Sequence, residues 1–203
     1  MSVNTSSHTK RLQELQSRIQ RLTRQLNNNA GVHFEYRIED SSASEQSYHF
    51  LGIKDPGDFR DQIVSLLISL WSLKDHFVKA FAEEGMARNR ARNIVYRAIR
   101  KSNALKICLD LANAEKHSGL DCDGWSGRAP EMTSVSWSIP GQSLEKLVFN
   151  ADGSIVTSVA KPEQVDYSIS FIDKNGRILG NVIEIIGDAL LAWEVLESRA
   201  RNA

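Results

Sequence analysis

Apolar residues near the start of the chain recur three and four positions apart, as in the a and d positions of a coiled coil. The pattern predicts a helix over residues 10–30, behind a disordered polar tail at residues 1–9. The apolar seam consists of Leu12, Leu15, Ile19, Leu22 and Leu26. Because the pattern lasts only about two heptads, and a coiled coil usually shows at least three, two alternatives stay open. The helix forms either the seam of a homodimer or a face docked on its own domain.

The same periodicity predicts four more helices. Residues 59–83 are apolar around much of the helix circumference, which is typical of a helix in the middle of a bundle. The next segment places Ala91, Val95 and Ile99 on one face, and another helix ends at His117, before the helix-terminating Gly119. The last helix covers about 181–200. These segments predict a helical bundle over residues 58–119 and 181–201.

Strict alternation of apolar and polar residues marks the strands. Residues 33–38 alternate, and 46–51 are their hairpin partner across a Ser-rich loop. After Gly119 the alternating segments are 134–139, 146–150, 154–160 and 165–171, separated by turn signals such as Ala151-Asp152-Gly153. The sequence therefore predicts a mainly α, α+β fold. Residues 31–203 are predicted to form a single domain. This domain is a helical bundle with an antiparallel β-meander inserted at about 131–180, before the C-terminal helix.

Composition limits the function classes. The 203 residues include 25 basic and 25 acidic side chains, so any attraction to nucleic acid must be local. Cys108 and Cys122 form no CxxC motif, which favours a reducing cytoplasm. The longest apolar stretch, at 63–73, is too short to span a bilayer, so no membrane partner is expected. The sequence lacks a P-loop, a GxSxG motif and zinc-ligand spacing of its histidines, so neither a metal nor another cofactor is predicted.

One segment is strongly basic. No acidic residue lies between Glu84 and Asp110, and this interval holds Arg88, Arg90, Arg92, Arg97, Arg100, Lys101 and Lys106. Such a density of cations predicts contact with the phosphates of RNA or with an acidic protein. The alternative is a solvated helix face, which is what most charge runs are. Tyr96 is the sole aromatic residue of the segment, so recognition of bases by stacking is not indicated.

The helix that ends at His117 carries a polar ridge. At 100° per residue, Lys106, Asp110, Asn113 and His117 fall on one side. The ridge is either a catalytic or binding edge or the ordinary solvated face of an amphipathic helix. Lys116 and His117 also complement the helix dipole from the last turn.

Asp75 falls on an apolar stripe of the predicted central helix. A buried carboxylate at this position needs a partner, for which Lys116, His117 and an arginine of the next helix are candidates. The alternative is that Asp75 is exposed near the helix end, where the neighbouring Lys74 and His76 indicate solvent.

Two segments, Trp71-Ser72-Leu73-Lys74-Asp75 and Leu111-Ala112-Asn113-Ala114-Glu115-Lys116-His117, together with the bundle layout, resemble the HEPN superfamily. The resemblance implies a small helical bundle from a bacterial toxin–antitoxin or phage-defence system. Many members are dimeric, metal-independent RNases whose signature is an Arg followed four to six residues later by a His. Here Asn113 and His117 match part of the signature, and Ala112 stands where the Arg is expected.

If the resemblance extends to catalysis, His117 is implied to be the general acid or base, Asn113 to position the phosphate and Asp75 to orient a cation. The missing Arg charge would then come from Lys116 or from the basic helix. The absent Arg favours a non-catalytic or weakly catalytic binding or assembly module. The alternatives are a metal-independent endoribonuclease that uses His117 and a purely structural bundle.

Overall fold

The computed structural model describes residues 7–26, 30–39, 45–117 and 124–201. Its α-helices are α1 (Ser7–Leu26), α2 (Pro56–Glu83), α3 (Arg88–Lys101), α4 (Asn103–His117) and α5 (Val182–Arg201). Each coincides closely with a predicted helix, although α1 begins inside the segment that was predicted to be a tail. Gly119, the expected end of α4, lies outside the described residues. No helix of the described ranges has the length and apolar character needed to cross a membrane.

Nine strands and two short 3-10 helices, Gly141–Ser143 and Pro162–Gln164, complete the described secondary structure. The strands are β1 (Ala30–Glu39), β2 (Glu45–Ile53), β3 (Glu131–Met132), β4 (Ser136–Ser138), β5 (Leu144–Phe149), β6 (Ile155–Val159), β7 (Asp166–Ser168), β8 (Ser170–Ile172) and β9 (Ile178–Asn181). The described residues fall into two compact units. The helical unit comprises Gln62–Ser134 together with the chain up to Arg21 and from Ile169 onwards. The sheet unit comprises Leu22–Asp61 and Val135–Ser168.

The helical unit is built on the apolar face of α2. Ile63, Leu67, Leu70 and Phe77 of this helix are all fully or almost fully buried. Trp193 of α5 is buried as well, and its ring stacks on Phe77 with a centroid distance of 5.3 Å. The three-stranded antiparallel sheet β3-β8-β9 belongs to the same unit.

The first part of α1 packs within the helical unit. Leu12 and Leu15 are buried, and the guanidinium group of Arg18 donates hydrogen bonds to the hydroxyls of Ser65 (2.9 Å) and Ser69 (3.0 Å). These contacts correspond to the docked alternative for the apolar seam. The side chains of Leu22 and Leu26 lie outside the described residues, and the homodimer stays a prediction.

The sheet unit contains a mixed sheet in the order β1-β2-β6-β5, with β2 and β6 parallel and the other pairs antiparallel. Phe34 of β1 is paired in register with Phe50 of β2, and both are buried. The ring of Trp137, in the separate β4–β7 ribbon, meets both rings edge-on, with centroid distances of 5.9 Å. Alternation along the strands therefore buries one face of the sheet, as the sequence pattern predicted.

The predicted fold class, a helical bundle with a simple antiparallel meander inserted before the last helix, is wrong. Strand β6 runs parallel to β2, which precedes α2, α3 and α4 in the chain, whereas β6 follows them. The predicted strand at 165–171 is also divided, because β7 pairs with β4 whereas β8 pairs with β3 and β9. Alternation shows which side chains of a strand are buried, but it does not identify the strand's neighbours.

Candidate functional site

Helix α3 presents an exposed basic surface. Its apolar positions Ala91, Val95 and Ile99 are fully buried, and this leaves the polar side of the helix in solvent. The exposed cations of α3 are Arg88, Arg90, Arg92, Arg97, Arg100 and Lys101. No carboxylate within the described ranges forms an ion pair with any of them. The surface thus carries positive charge that the described part of the chain does not neutralise. Lys106, the remaining cation of the basic segment, lies on α4 and is half-buried.

A cluster of Arg92, Tyr96 and Trp125 lies on one flank of α3. Arg92, Tyr96 and Arg100 are successive members of an i, i+4 row. The guanidinium carbon of Arg92 lies 5.1 Å from the centroid of the Tyr96 ring. The Tyr96 ring in turn meets the Trp125 indole edge-on, with a centroid distance of 5.1 Å and an interplanar angle of 87°. The sequence indicated Tyr96 alone. Trp125 was missed because it follows α4 and reaches α3 only through the tertiary fold.

Asp110 holds the loop that presents Trp125. Its carboxylate accepts hydrogen bonds from the backbone N–H of Trp125 (2.7 Å), the backbone N–H of Ser126 (2.8 Å) and the Ser126 hydroxyl (2.6 Å). Asp110 is only 1% exposed. The prediction of a continuous polar ridge on α4 is therefore wrong at this position, since Asp110 lies beneath the loop and not on a solvated face.

Gly124 allows the loop to close on Asp110. A Cβ atom added at residue 124 would lie 2.5 Å from the carboxylate carbon of Asp110 and equally close to one of its oxygens. Such a contact is far shorter than van der Waals distance, and the buried carboxylate has little space to move. The absence of a side chain at this position is therefore a condition for the hydrogen bonds that fix Trp125.

We expect Gly124→Ala to lower the free energy of unfolding by about 1–3 kcal/mol, the usual cost of overpacking a filled site. Urea titration followed by circular dichroism measures this change. The control is Gly187→Ala in α5, where an added Cβ meets no atom within 4 Å. Since alanine favours a helix interior over glycine by about 0.5–1 kcal/mol, the control should be stabilised. Equal behaviour of the two variants would contradict the close contact at Gly124.

A second cluster surrounds Trp71 of α2. The ammonium groups of Lys74 and Lys116 each lie 3.7 Å from the centroid of the indole ring, which places the end of α4 beside α2. The Lys74 ammonium also pairs with Asp75 at 2.8 Å. The Asp75 side chain is 68% exposed, so the exposed alternative holds and the buried one is wrong.

The remaining predicted catalytic residues are spread along α4. His117 is exposed and Asn113 is half-buried. Ala112, where an Arg is expected by analogy with the RNase signature, is 0% exposed, so this position faces the interior of the helical unit. The first position of the RNase signature is therefore occupied by a buried alanine and not by an exposed cation.

One groove lies along the C-terminal part of α2 and the start of α3. It has a volume of about 610 Å³ and is lined by Asp75, Val78, Lys79, Ala82, Glu83 and Arg88. The lining includes neither Asn113 nor His117, and its two acids and two bases give it no preference for one sign of charge. Burial raises the pKa of the Cys108 thiol, which disfavours the thiolate needed for nucleophilic chemistry. Within the described ranges, no group of three or more His, Cys, Asp or Glu side chains is arranged to hold a metal.

Comparison of the chain with protein-family models, with curated proteins and with solved structures gives no match. The resemblance of α2 and α4 to the HEPN superfamily therefore stays a prediction. The exposed basic surface of α3 and the Arg92–Tyr96–Trp125 cluster are the features that best indicate a function.

Proposed function

We propose that this protein is a non-catalytic module that binds single-stranded RNA on helix α3. The observation that carries the proposal is the Arg92–Tyr96–Trp125 cluster beside exposed cations that lack ion pairs in the described part of the chain. Cations contact the phosphates, and aromatic rings or a guanidinium plane stack on bases that are free of a duplex.

The aromatic rings favour RNA over an acidic protein as the partner. An acidic polypeptide would need the cations alone, whereas half-buried Tyr96 and Trp125 add ring surface beside them. Arg92 and Arg100 lie one helical turn to either side of Tyr96, so a base in contact with the ring has a cation available for the phosphate on each side. The hydrogen bond from the Trp125 backbone N–H to buried Asp110 fixes this part of the loop before any partner binds, and Gly124 allows the close approach.

The biological setting is proposed from the resemblance. A degenerate HEPN-like module would serve in the bacterial cytoplasm as a binding or assembly component of a toxin–antitoxin or phage-defence system, and would be a homodimer. The buried position of Ala112 supports the non-catalytic form of this proposal.

RNA binding should depend on the salt concentration, on the cations of α3 and on Tyr96. We expect Arg92→Ala/Arg100→Ala to weaken binding of a fluorescent single-stranded RNA and to reduce the salt slope by about 1.4, since each phosphate contact contributes about 0.7. Tyr96→Leu should weaken binding by about 5- to 150-fold, the equivalent of 1–3 kcal/mol of stacking, without this change in slope. Fluorescence anisotropy at several KCl concentrations measures both effects.

The matched control removes two exposed cations elsewhere, in Lys161→Ala/Lys174→Ala. Binding by this variant should equal that of the wild type. Two results would overturn the proposal: equal loss in both double variants, or binding of polyglutamate with no binding of RNA. The latter would favour the acidic-protein alternative.

The endoribonuclease alternative is tested with the same RNA. Exposure of His117 keeps this alternative open. Incubation of RNA with the wild type and with His117→Ala should leave the RNA intact in both. Cleavage by the wild type that is lost in His117→Ala would replace the binding module with the enzyme.

A further inference from the structure

The β1–β2 hairpin brings two histidines together on its outer face. The register pairs His33 with Leu51 and Glu35 with His49, so the two histidines are diagonal neighbours on the face opposite to Phe34 and Phe50. His33 Nε2 lies 3.4 Å from His49 Nδ1, and the two ring planes differ by only 14°. The sequence pattern did not indicate this pair, because hairpin register and not local spacing unites the residues.

The separation of the two nitrogens equals the distance between two ligands of one tetrahedral metal ion, and the nitrogens face each other along the line that joins the ring centroids. Rotation of the two side chains would direct both lone pairs at one shared ion. Zinc binds histidine nitrogen at about 2.0–2.1 Å in tetrahedral geometry, which requires about 3.3–3.4 Å between two ligating nitrogens. A second feature fits the same interpretation. The other ring nitrogen of His49, Nε2, lies 3.4 Å from the Ser47 hydroxyl, the kind of outer partner that fixes the orientation of a ligating imidazole.

We propose that His33 and His49 form a binding site for one zinc-type divalent cation on the β1–β2 hairpin. The protein supplies two imidazole nitrogens, since no group of three or more ligating side chains occurs within the described ranges, and water completes the coordination. Because β1 is an edge strand, the ion would link this strand to β2 and strengthen the border of the sheet. The site is independent of the α3 surface.

Zinc binding by the full chain, prepared without a histidine tag, tests this inference. Calorimetric titration with Zn²⁺ should show one saturable site in the wild type, and Zn²⁺ should raise the Tm. Both effects should disappear in His33→Ala and in His49→Ala. They should persist in His76→Ala, which removes an exposed histidine of α2.

Cobalt supplies a spectroscopic check, because tetrahedral Co²⁺ absorbs visible light much more strongly than octahedral Co²⁺. The wild type should show this absorption, and His33→Gln, which preserves a polar side chain, should not. Circular dichroism verifies that each variant is folded. The inference is overturned if the wild type shows no saturable binding, or if the His33→Ala/His49→Ala protein binds Zn²⁺ as the wild type does. Either result would leave the pair as a simple N–H···N contact.

Discussion

Asp110→Ala should lower the free energy of unfolding by about 2–4 kcal/mol, because hydrogen bonds to a charged group are worth about 1.5–3 kcal/mol each and buried unpaired donors are costly. The 1% exposed carboxylate accepts from two backbone N–H groups and one hydroxyl. Truncation leaves the amides of Trp125 and Ser126 without their acceptor. The loop would then lose the contacts that hold the indole against Tyr96.

Urea titration measures the stability change, and Asp188→Ala is the matched control. Asp188 is an exposed aspartate of α5, so its removal should change stability by no more than about 0.5 kcal/mol. If Asp110→Ala were as mild as the control, the buried hydrogen bonds would not anchor the loop. Asp110→Asn is a useful second variant. The amide has about the size of the carboxylate, but its NH2 group would face the backbone N–H donors of the loop and could not accept from them.

The same variant connects stability to the proposed function. At a temperature where Asp110→Ala is still folded, RNA binding should weaken about as much as in Tyr96→Leu, because Trp125 would no longer be held beside the ring. Near-ultraviolet circular dichroism reports the altered tryptophan environment. If the RNA affinity were unchanged although the indole is displaced, Trp125 would not contribute to RNA binding. The proposed role of the α3 cations would be unaffected.

Trp193→Ala should cost about 3–5 kcal/mol of stability, the range for truncating a buried large aromatic side chain. The side chain is fully buried in the helical unit and stacks on Phe77. Trp193→Phe should be much milder. The indole N–H is buried without a hydrogen-bond partner among the described residues, so phenylalanine loses volume but also removes a donor that is costly to bury.

Thermal and urea unfolding of both variants measure this difference. Leu191→Ala is the control on the same helix, because Leu191 is 56% exposed and its truncation should have little effect. Equal destabilisation by Trp193→Phe and Trp193→Ala would mean that the indole N–H has an acceptor. Little loss in Trp193→Ala would contradict its position in the core.

The helices and the local hairpins could be predicted because their signals are local. Burial of one face imposes a spacing of three and four residues on a helix, and α2 and α5 follow this rule closely. The β1–β2 and β5–β6 hairpins join neighbouring segments across a short connection, so alternation with turn residues identifies both partners. The cations of α3 could be found from the sequence for the same reason, since one continuous segment contains them.

The fold class and the candidate site depended on contacts between distant segments. Parallel pairing of β2 with β6 and the division of residues 165–171 between two sheets have no local signature. Helical periodicity placed Asp110 on a solvated face, but the loop after α4 covers that position and satisfies its carboxylate. The neighbours Trp125 and Tyr96 are likewise separated by all of α4.

The sequence alone determined the element types, the acid-free basic helix and the absence of a complete RNase signature, because each depends on residue order within one segment. Only the tertiary structure decided that Trp125 joins Arg92 and Tyr96, that Asp110 is buried and that His33 meets His49. Periodicity reports how exposed a side chain is on its own element. The partner that covers or contacts it is set by the packing of elements that are far apart in the chain.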